Sequence, residues 1–311
     1  MSNDPAPLFI VGAARSGTSY LHRLMNRHPG IRMTYESRLP TEGFRIYKDH
    51  NPPLSDESIH RFLDTIAAME KEEDQNLWLC RTIDGKRHTL SDRYQMHGSF
   101  PQLIRDICEL SCPSPLKGFG NKMLRAELCP DILALWPNAR FILLIRDPRA
   151  VVASQIRRFK GRRLAYAAFY CDTHARIARQ LARDRQRFLT VRYEEFVRNP
   201  KDQLKRILSF AGLHDPFIEK YMLQQAPPHS ASVDKWRHHL SQAQIRQIEE
   251  ICFHSMKNSG YVPETAVAQK PVNTIKKTIE LVYEKKEAFL YAPATWRRKN
   301  IINRFLTIVH Q

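Results

Sequence analysis

From Leu8 to Met25 the chain reads LFIVGAARSGTSYLHRLM, an apolar run cut off at a glycine and restarted with helical spacing. A continuous run such as Leu8 to Val11, with no polar alternation, suits a strand covered on both faces of a parallel sheet. Gly12 and Gly17 bracket the break. Leu21, Leu24 and Met25 then recur at i, i+3 and i+4 and give the restart one apolar face. The segment predicts strand, tight loop and helix, with Thr18 and Ser19 at the helix N-terminus. Free backbone N–H groups and the positive end of the helix dipole make such a junction an anion site.

The spacing Gly12-x4-Gly17 is that of a Walker A loop, but Thr18 stands where a nucleoside-triphosphate loop carries its lysine. A triphosphate calls for that lysine and for Mg²⁺ on the next hydroxyl. Here the cation is Arg15, inside the loop, which suits a mononucleotide with less charge to offset than a triphosphate. A second junction follows at Arg140 to Phe159, RFILLIRDPRAVVASQIRRF. Phe141 to Ile145 reads as a buried strand, Arg146-Asp147 as the turn, and Pro148 as a first helical residue. Arg146 precedes Ser154 by eight positions, so the two can face one anion, with a forked guanidinium contact and a hydroxyl donor.

These residues carry a resemblance. Pro7 to Pro40 resembles the 5′-phosphosulfate loop of the sulfotransferases that use 3′-phosphoadenosine 5′-phosphosulfate (PAPS), and its motif order is most similar to that of tyrosylprotein sulfotransferases. Arg15-Ser16-Gly17-Thr18-Ser19, His28-Pro29 and Glu36-Ser37-Arg38 stand in the family's order and spacing. The resemblance implies a P-loop-like α/β fold, a central parallel sheet flanked by helices, and metal-free in-line transfer of SO₃ from PAPS to an acceptor hydroxyl. It implies Glu36 as general base, Arg38 as an acceptor contact, and Arg15 with the loop amides on the 5′-phosphosulfate. Within Leu116 to Arg125, Lys122 matches the lysine that contacts the sulfuryl group and leaving phosphate. Arg146 and Ser154 match the 3′-phosphate pair, and Tyr193, after a third strand at Phe188 to Arg192, the residue near the adenine. In Pro227 to His239, Lys235 resembles the closing basic residue, with Arg237 as its alternative and Ser232 facing the same site. His22 and His28 are other conceivable bases, His28 before Pro29 being the more structural in character.

The chain's 311 residues, 42% hydrophobic and 26% charged, can bury a substantial core as one large or two modest domains. Lys+Arg 49 against Asp+Glu 32 gives +17, which calls for an anionic partner. A P-loop kinase and a non-catalytic polyanion- or nucleic-acid-binding protein are the rival readings. Thr18 opposes the first. For the second, the basic cluster Arg157 to Arg163 has no aromatic ladder beside it and reads as a solvated helix end, so no nucleic-acid partner is expected. The acceptor is a small molecule, glycan, lipid or peptide, and Asp74 to Gly98, without clear periodicity, is a candidate acceptor-binding insert. The six cysteines show no C-x-x-C pair, and no metal site is expected. Met1 to Pro7 lacks a signal-peptide pattern and no run approaches the roughly 18 apolar residues of a membrane span, so the expectation is a soluble, cytoplasmic protein.

Helices are expected at Asp56 to Lys71, Ser99 to Cys112, Leu164 to Arg187 and Gln242 to Met256, and one around Leu204 to Ala211 ended by Gly212. Arg32 to Arg38 reads as a polar segment. The catalytic domain is expected to end near residue 264. Residues 265–311 then form a basic helical extension, which packs on its own domain, on a second subunit or on an anionic membrane surface.

Overall fold

The computed structural model describes residues 6–71, 76–213, 215–225 and 233–265. Ser232, and the expected extension beyond Thr265, lie outside the described residues. Five strands, β1 (Leu8–Val11), β2 (Ile31–Tyr35), β3 (Gly118–Met123), β4 (Arg140–Ile145) and β5 (Phe188–Arg192), form one sheet in the order β2-β3-β1-β4-β5. Every pairing in it is parallel. The unbroken apolar runs of β1 and β4 occupy the centre because both of their faces are covered.

Alternate residues of each strand feed opposite layers. Phe9, Val11, Phe141, Leu143 and Phe188 pack under α3 (Asp56–Glu70), α4 (Leu77–His97), α5 (Phe100–Ser111) and α6 (Cys129–Leu135). Phe9, Phe141 and Phe188 make an aromatic row across three strands, with centroids 5.3 and 4.7 Å apart. Leu8, Ile10, Ile142, Leu144 and Val191 face α1 (Thr18–Met25), α10 (Pro200–Ala211) and α11 (Pro216–Gln225). Leu21, Leu24 and Met25 are buried there, as the spacing requires. A third layer joins α7 (Pro148–Arg158), α8 (Leu164–Leu181) and α12 (Gln242–Asn258) through Val152, Ala168, Ile248 and Cys252.

After β1 the chain crosses to the edge strand β2 and returns to β3, whereas β4 leads to β5 on the other side. The loops leaving β1 and β4 therefore diverge at the carboxyl end of the sheet and leave a crevice there, the usual ligand position in open α/β sheets.

Two expectations change. The segment 74–98 is not an irregular insert: α4 covers most of it, bent at Lys86, with Leu79, Cys80, Ile83, Leu90 and Tyr94 buried. Arginines and histidines between those positions hide the spacing. Arg32 to Tyr35 belong to β2, in which Ile31 and Met33 are the inward apolar residues. The glycine-punctuated stretch before Lys122 is itself a strand. Gly120 of β3 lies so close to β1 that a Cβ there would come within 1.7 Å of the Leu8 carbonyl oxygen. The glycine marks a close approach of the two strands.

Candidate active site

The loop after β1 turns sharply, with the Ser16 N–H donating to Ala13 O at 3.0 Å. Gly17 then takes φ 104, and a Cβ there would stand 2.5 Å from the Tyr193 ring, so only glycine fits between loop and ring. No side chain caps α1, which leaves its first turn open to a ligand. Ser16 is buried, and its hydroxyl has no hydrogen-bond partner among the described residues. A strongly polar, confined turn of this kind fits an anion held by backbone amides.

The two junctions meet through Arg15. Its Nε donates to Ser154 Oγ at 3.0 Å, and its carbonyl accepts from Arg146 Nη1 at 3.0 Å. The Arg146 guanidinium stacks on the Tyr193 ring at 4.3 Å. Burial lowers the Arg146 pKa against the pull of nearby Tyr193 and Glu194. Desolvation penalises the charged form, and a bound anion would offset that penalty.

Arg15, Gly17, Thr18, Ser19, Arg146, Ser154, Tyr193 and Lys235 line one cleft of about 590 Å³, within the range of ordinary ligand sites. Arg237 takes another place: its Nη1 bonds Glu264 Oε2 at 2.5 Å and its guanidinium lies 4.5 Å from the Trp236 ring. The cleft also includes Arg23, Arg157 and Arg158, which sequence reasoning missed. Arg157 and Arg158 are thus not a merely solvated helix end. The available signal was spacing: they follow Ser154 by three and four residues on α7, and Arg23 follows Ser19 by four on α1.

Beside this cleft stands a carboxylate–ammonium pair. Lys122 lies on β3 in register with Ile10 and Tyr35, and its side chain is buried. Its Nζ pairs with Glu36 Oε1 and sits 4.3 Å from the centre of the Tyr35 ring. The Tyr35 hydroxyl is 2.9 Å from Ser19 Oγ, so a continuous set of contacts runs from the loop helix to the carboxylate. The Glu36 side chain keeps 33% of its surface exposed, enough for an acceptor to reach it.

Arg38 is not part of this cluster. Its guanidinium contacts Glu42 at 3.3 Å and donates to Met69 O at 3.1 Å. The histidines are structural in placement. His28 Nδ1 accepts from Gly30 N at 3.0 Å, while burial pushes His22 down to about 4, with its Nε2 3.0 Å from Met33 O. Among the described residues no group of three or more His, Cys, Asp or Glu side chains could hold a metal ion.

A buried network fixes the far wall of the cleft. Arg149 donates to Asp147 Oδ2 at 2.6 Å and to Glu249 Oε1 at 2.7 Å, and lies 4.4 Å from the Trp236 ring. It thereby ties the start of α7 to α12 and to the short 3₁₀ turn Lys235–His238.

The sequence model described as the Sulfotransferase family matches residues 7–219. The omega-hydroxy-beta-dihydromenaquinone-9 sulfotransferase Stf3 of Mycobacterium tuberculosis is 25% identical over 279 residues, covering 72% of this chain and 68% of that protein. The protein-tyrosine sulfotransferase of Drosophila melanogaster is 23% identical over 239 residues, covering 70% of this chain and 42% of its own length. Among solved structures, the sulfotransferase domain of the Synechococcus PCC 7002 olefin synthase shares the fold. Its TM-score is 0.57 at 20% identity, over 84% of this chain and 98% of that one.

Proposed function

The chain belongs to the sulfotransferase family, and from that premise we propose that its donor is PAPS and that the basic cleft is the donor site. One observation carries the reading: Arg15 reaches Ser154 with its guanidinium and Arg146 with its carbonyl, in a cleft whose floor is the open end of α1. That arrangement lines one cleft with two anion-binding groups, the loop amides and the Arg146–Ser154 pair, which is what a nucleotide with phosphates on two ribose positions calls for. Loop amides and Arg15 hold the 5′-phosphosulfate, Arg146 and Ser154 hold the 3′-phosphate, Tyr193 flanks the base and Lys235 closes the cleft. PAPS when bound supplies an activated sulfuryl group whose S–O bond to the 5′-phosphate breaks as the acceptor oxygen bonds to sulfur.

The chain's own residues do the rest. Glu36 takes the proton of the acceptor hydroxyl, and Lys122, beside it on β3, stabilises negative charge developing on the sulfuryl and bridging oxygens. Holding both groups at the carboxyl ends of β2 and β3, next to the loop, converts the encounter into an oriented one. The acceptor is a hydroxyl compound. Relatives named for a quinol derivative, for protein tyrosine and for carbohydrate define the panel to test. Among the described residues no helix is long and apolar enough to cross a membrane. The cytoplasm is the location proposed.

Thermal stabilisation tests the donor reading. Adenosine 3′,5′-bisphosphate should raise the melting temperature more than ATP with Mg²⁺, and more than a DNA oligomer, at both low and high salt. Equal or greater stabilisation by ATP–Mg²⁺ or by DNA would replace it with the kinase or polyanion reading.

A further inference from the structure

Glu36 has φ 48, in the left-handed region that a non-glycine residue occupies only when its surroundings hold it there. Both of its neighbours are gripped by asparagine side chains. Asn76 Oδ1 accepts from Tyr35 N at 2.7 Å while its Nδ2 donates to Tyr35 O at 3.0 Å. On the other side, Asn121 Oδ1 accepts from Ser37 N at 3.2 Å and its Nδ2 donates to Ser37 O at 2.9 Å. Each amide satisfies both backbone groups of one residue, and the residue left between them is Glu36.

The grip is anchored in turn. Glu70 accepts from Asn76 Nδ2 at 2.7 Å, from Ser37 Oγ at 2.8 Å and from Arg38 N at 3.2 Å. Asn76, Asn121 and Glu70 are exposed by 0%, 3% and 2%, so none of these bonds competes with bulk water. Buried polar groups left unpaired are costly, and a fully satisfied network of this kind fixes one conformation. A glycine at position 36 would accept the same backbone without strain but would carry no carboxylate. The chain keeps the carboxylate and encloses the strain.

We propose that Asn76 and Asn121 are positioning residues for Glu36: they bracket its backbone in the left-handed turn that delivers its carboxylate to Lys122. Asn121 immediately precedes Lys122 on β3, so one strand sets both partners. The catalytic meaning of the bracket rests on the reading of Glu36 as base, whereas its conformational meaning does not.

Two measurements on Asn121→Ala separate the two meanings, with Asn121→Ser as a second variant if the alanine form does not fold. The first is a crystal structure of the variant, in which Glu36 should leave positive φ; a retained φ near the wild-type value overturns the bracket. The second is turnover, read as adenosine 3′,5′-bisphosphate release from PAPS with a phenol, a tyrosine peptide or an N-acetylglucosamine glycan as acceptor. Misplacing the base by about 1 Å should cost about 10²-fold in kcat, with adenosine 3′,5′-bisphosphate affinity by calorimetry changed less than about twofold. Against Glu36→Gln, itself lowered by about 10²–10⁴-fold, Asn121→Ala should add no further loss. An equal loss in both backgrounds overturns the positioning role. Wild-type turnover by Glu36→Gln overturns the base reading itself, and the crystal structure still decides the bracket.

Discussion

At the scale of single residues, Arg146 meets three demands at once. It holds the Arg15 carbonyl, stacks on Tyr193 and opens to the cleft, all at the cost of desolvating a guanidinium. A half-buried cation is favoured where negative groups offset the loss of water, and Glu194 and Asp147 already supply part of that offset. The 3′-phosphate is the group proposed for that role. Arg146→Ala should therefore weaken adenosine 3′,5′-bisphosphate far more than adenosine 5′-phosphate. A charge-assisted contact of about 1.5–3 kcal/mol corresponds to about a ten- to hundred-fold change in Kd. Titration calorimetry with both nucleotides decides it, since equal weakening would reduce Arg146 to a prop for the loop. Gly17 makes the complementary point: no contact of its own matters, yet a methyl group there would enter the Tyr193 ring.

At the scale of elements, the junctions were legible because each concentrates its signal within one strand, one turn and one helix. The runs at Leu8 and Phe141 announce buried strands, Pro148 a helix start, and Gly212 a helix end at φ 73. The partner strands were not. β2 alternates and looks polar, and β3 carries two glycines and a lysine, because it is squeezed between neighbours and ends at the site. Nor could sequence order reveal that Asn76 and Asn121, forty-odd residues apart in the chain, clasp the two sides of Glu36. Long-range networks leave no period. The Arg149 network is of the same type, and its worth can be stated. Arg149→Ala would leave Glu249, fully buried, and Asp147 without their cation, a loss of about 3–5 kcal/mol. For a domain of this size that is about a 10 °C fall in Tm. Arg149→Lys should recover part of it, since it restores charge without the fork. Calorimetric melting of both variants is the check, and a shift within 1–2 °C for Arg149→Ala would show that the network is energetically neutral.

At the scale of the whole molecule, the chain carries a formal charge of +17 with 13 histidines still neutral, so acid adds positive charge to an already cationic body. Histidines that the fold keeps uncharged make the effect specific. Burial pushes His22 and His174 each down to about 4, from an ordinary value of 6.5. Their protons are therefore bound by the unfolded chain first. Between pH 6.5 and about 4 the unfolded state holds more protons than the native one, and stability falls as pH falls through that window. For His22 alone the full effect approaches about 3 kcal/mol at the acid end. Glu70 works in the opposite sense: burial raises its pKa, so the native state holds that proton more firmly, and its contribution is present in acid and lost as pH rises. With His28 also lowered by burial, three depressed histidines stand against this one raised carboxyl, and the net slope should be an acid loss. His22→Gln keeps a donor for the Met33 carbonyl but cannot titrate, so its melting temperature should fall less steeply than wild type between pH 6.5 and 4. Melting curves at half-unit steps in pH would test this. Parallel slopes for the two proteins would show that His22 titrates alike in the folded and unfolded states, and would move the origin of the acid loss to the general charge of the surface.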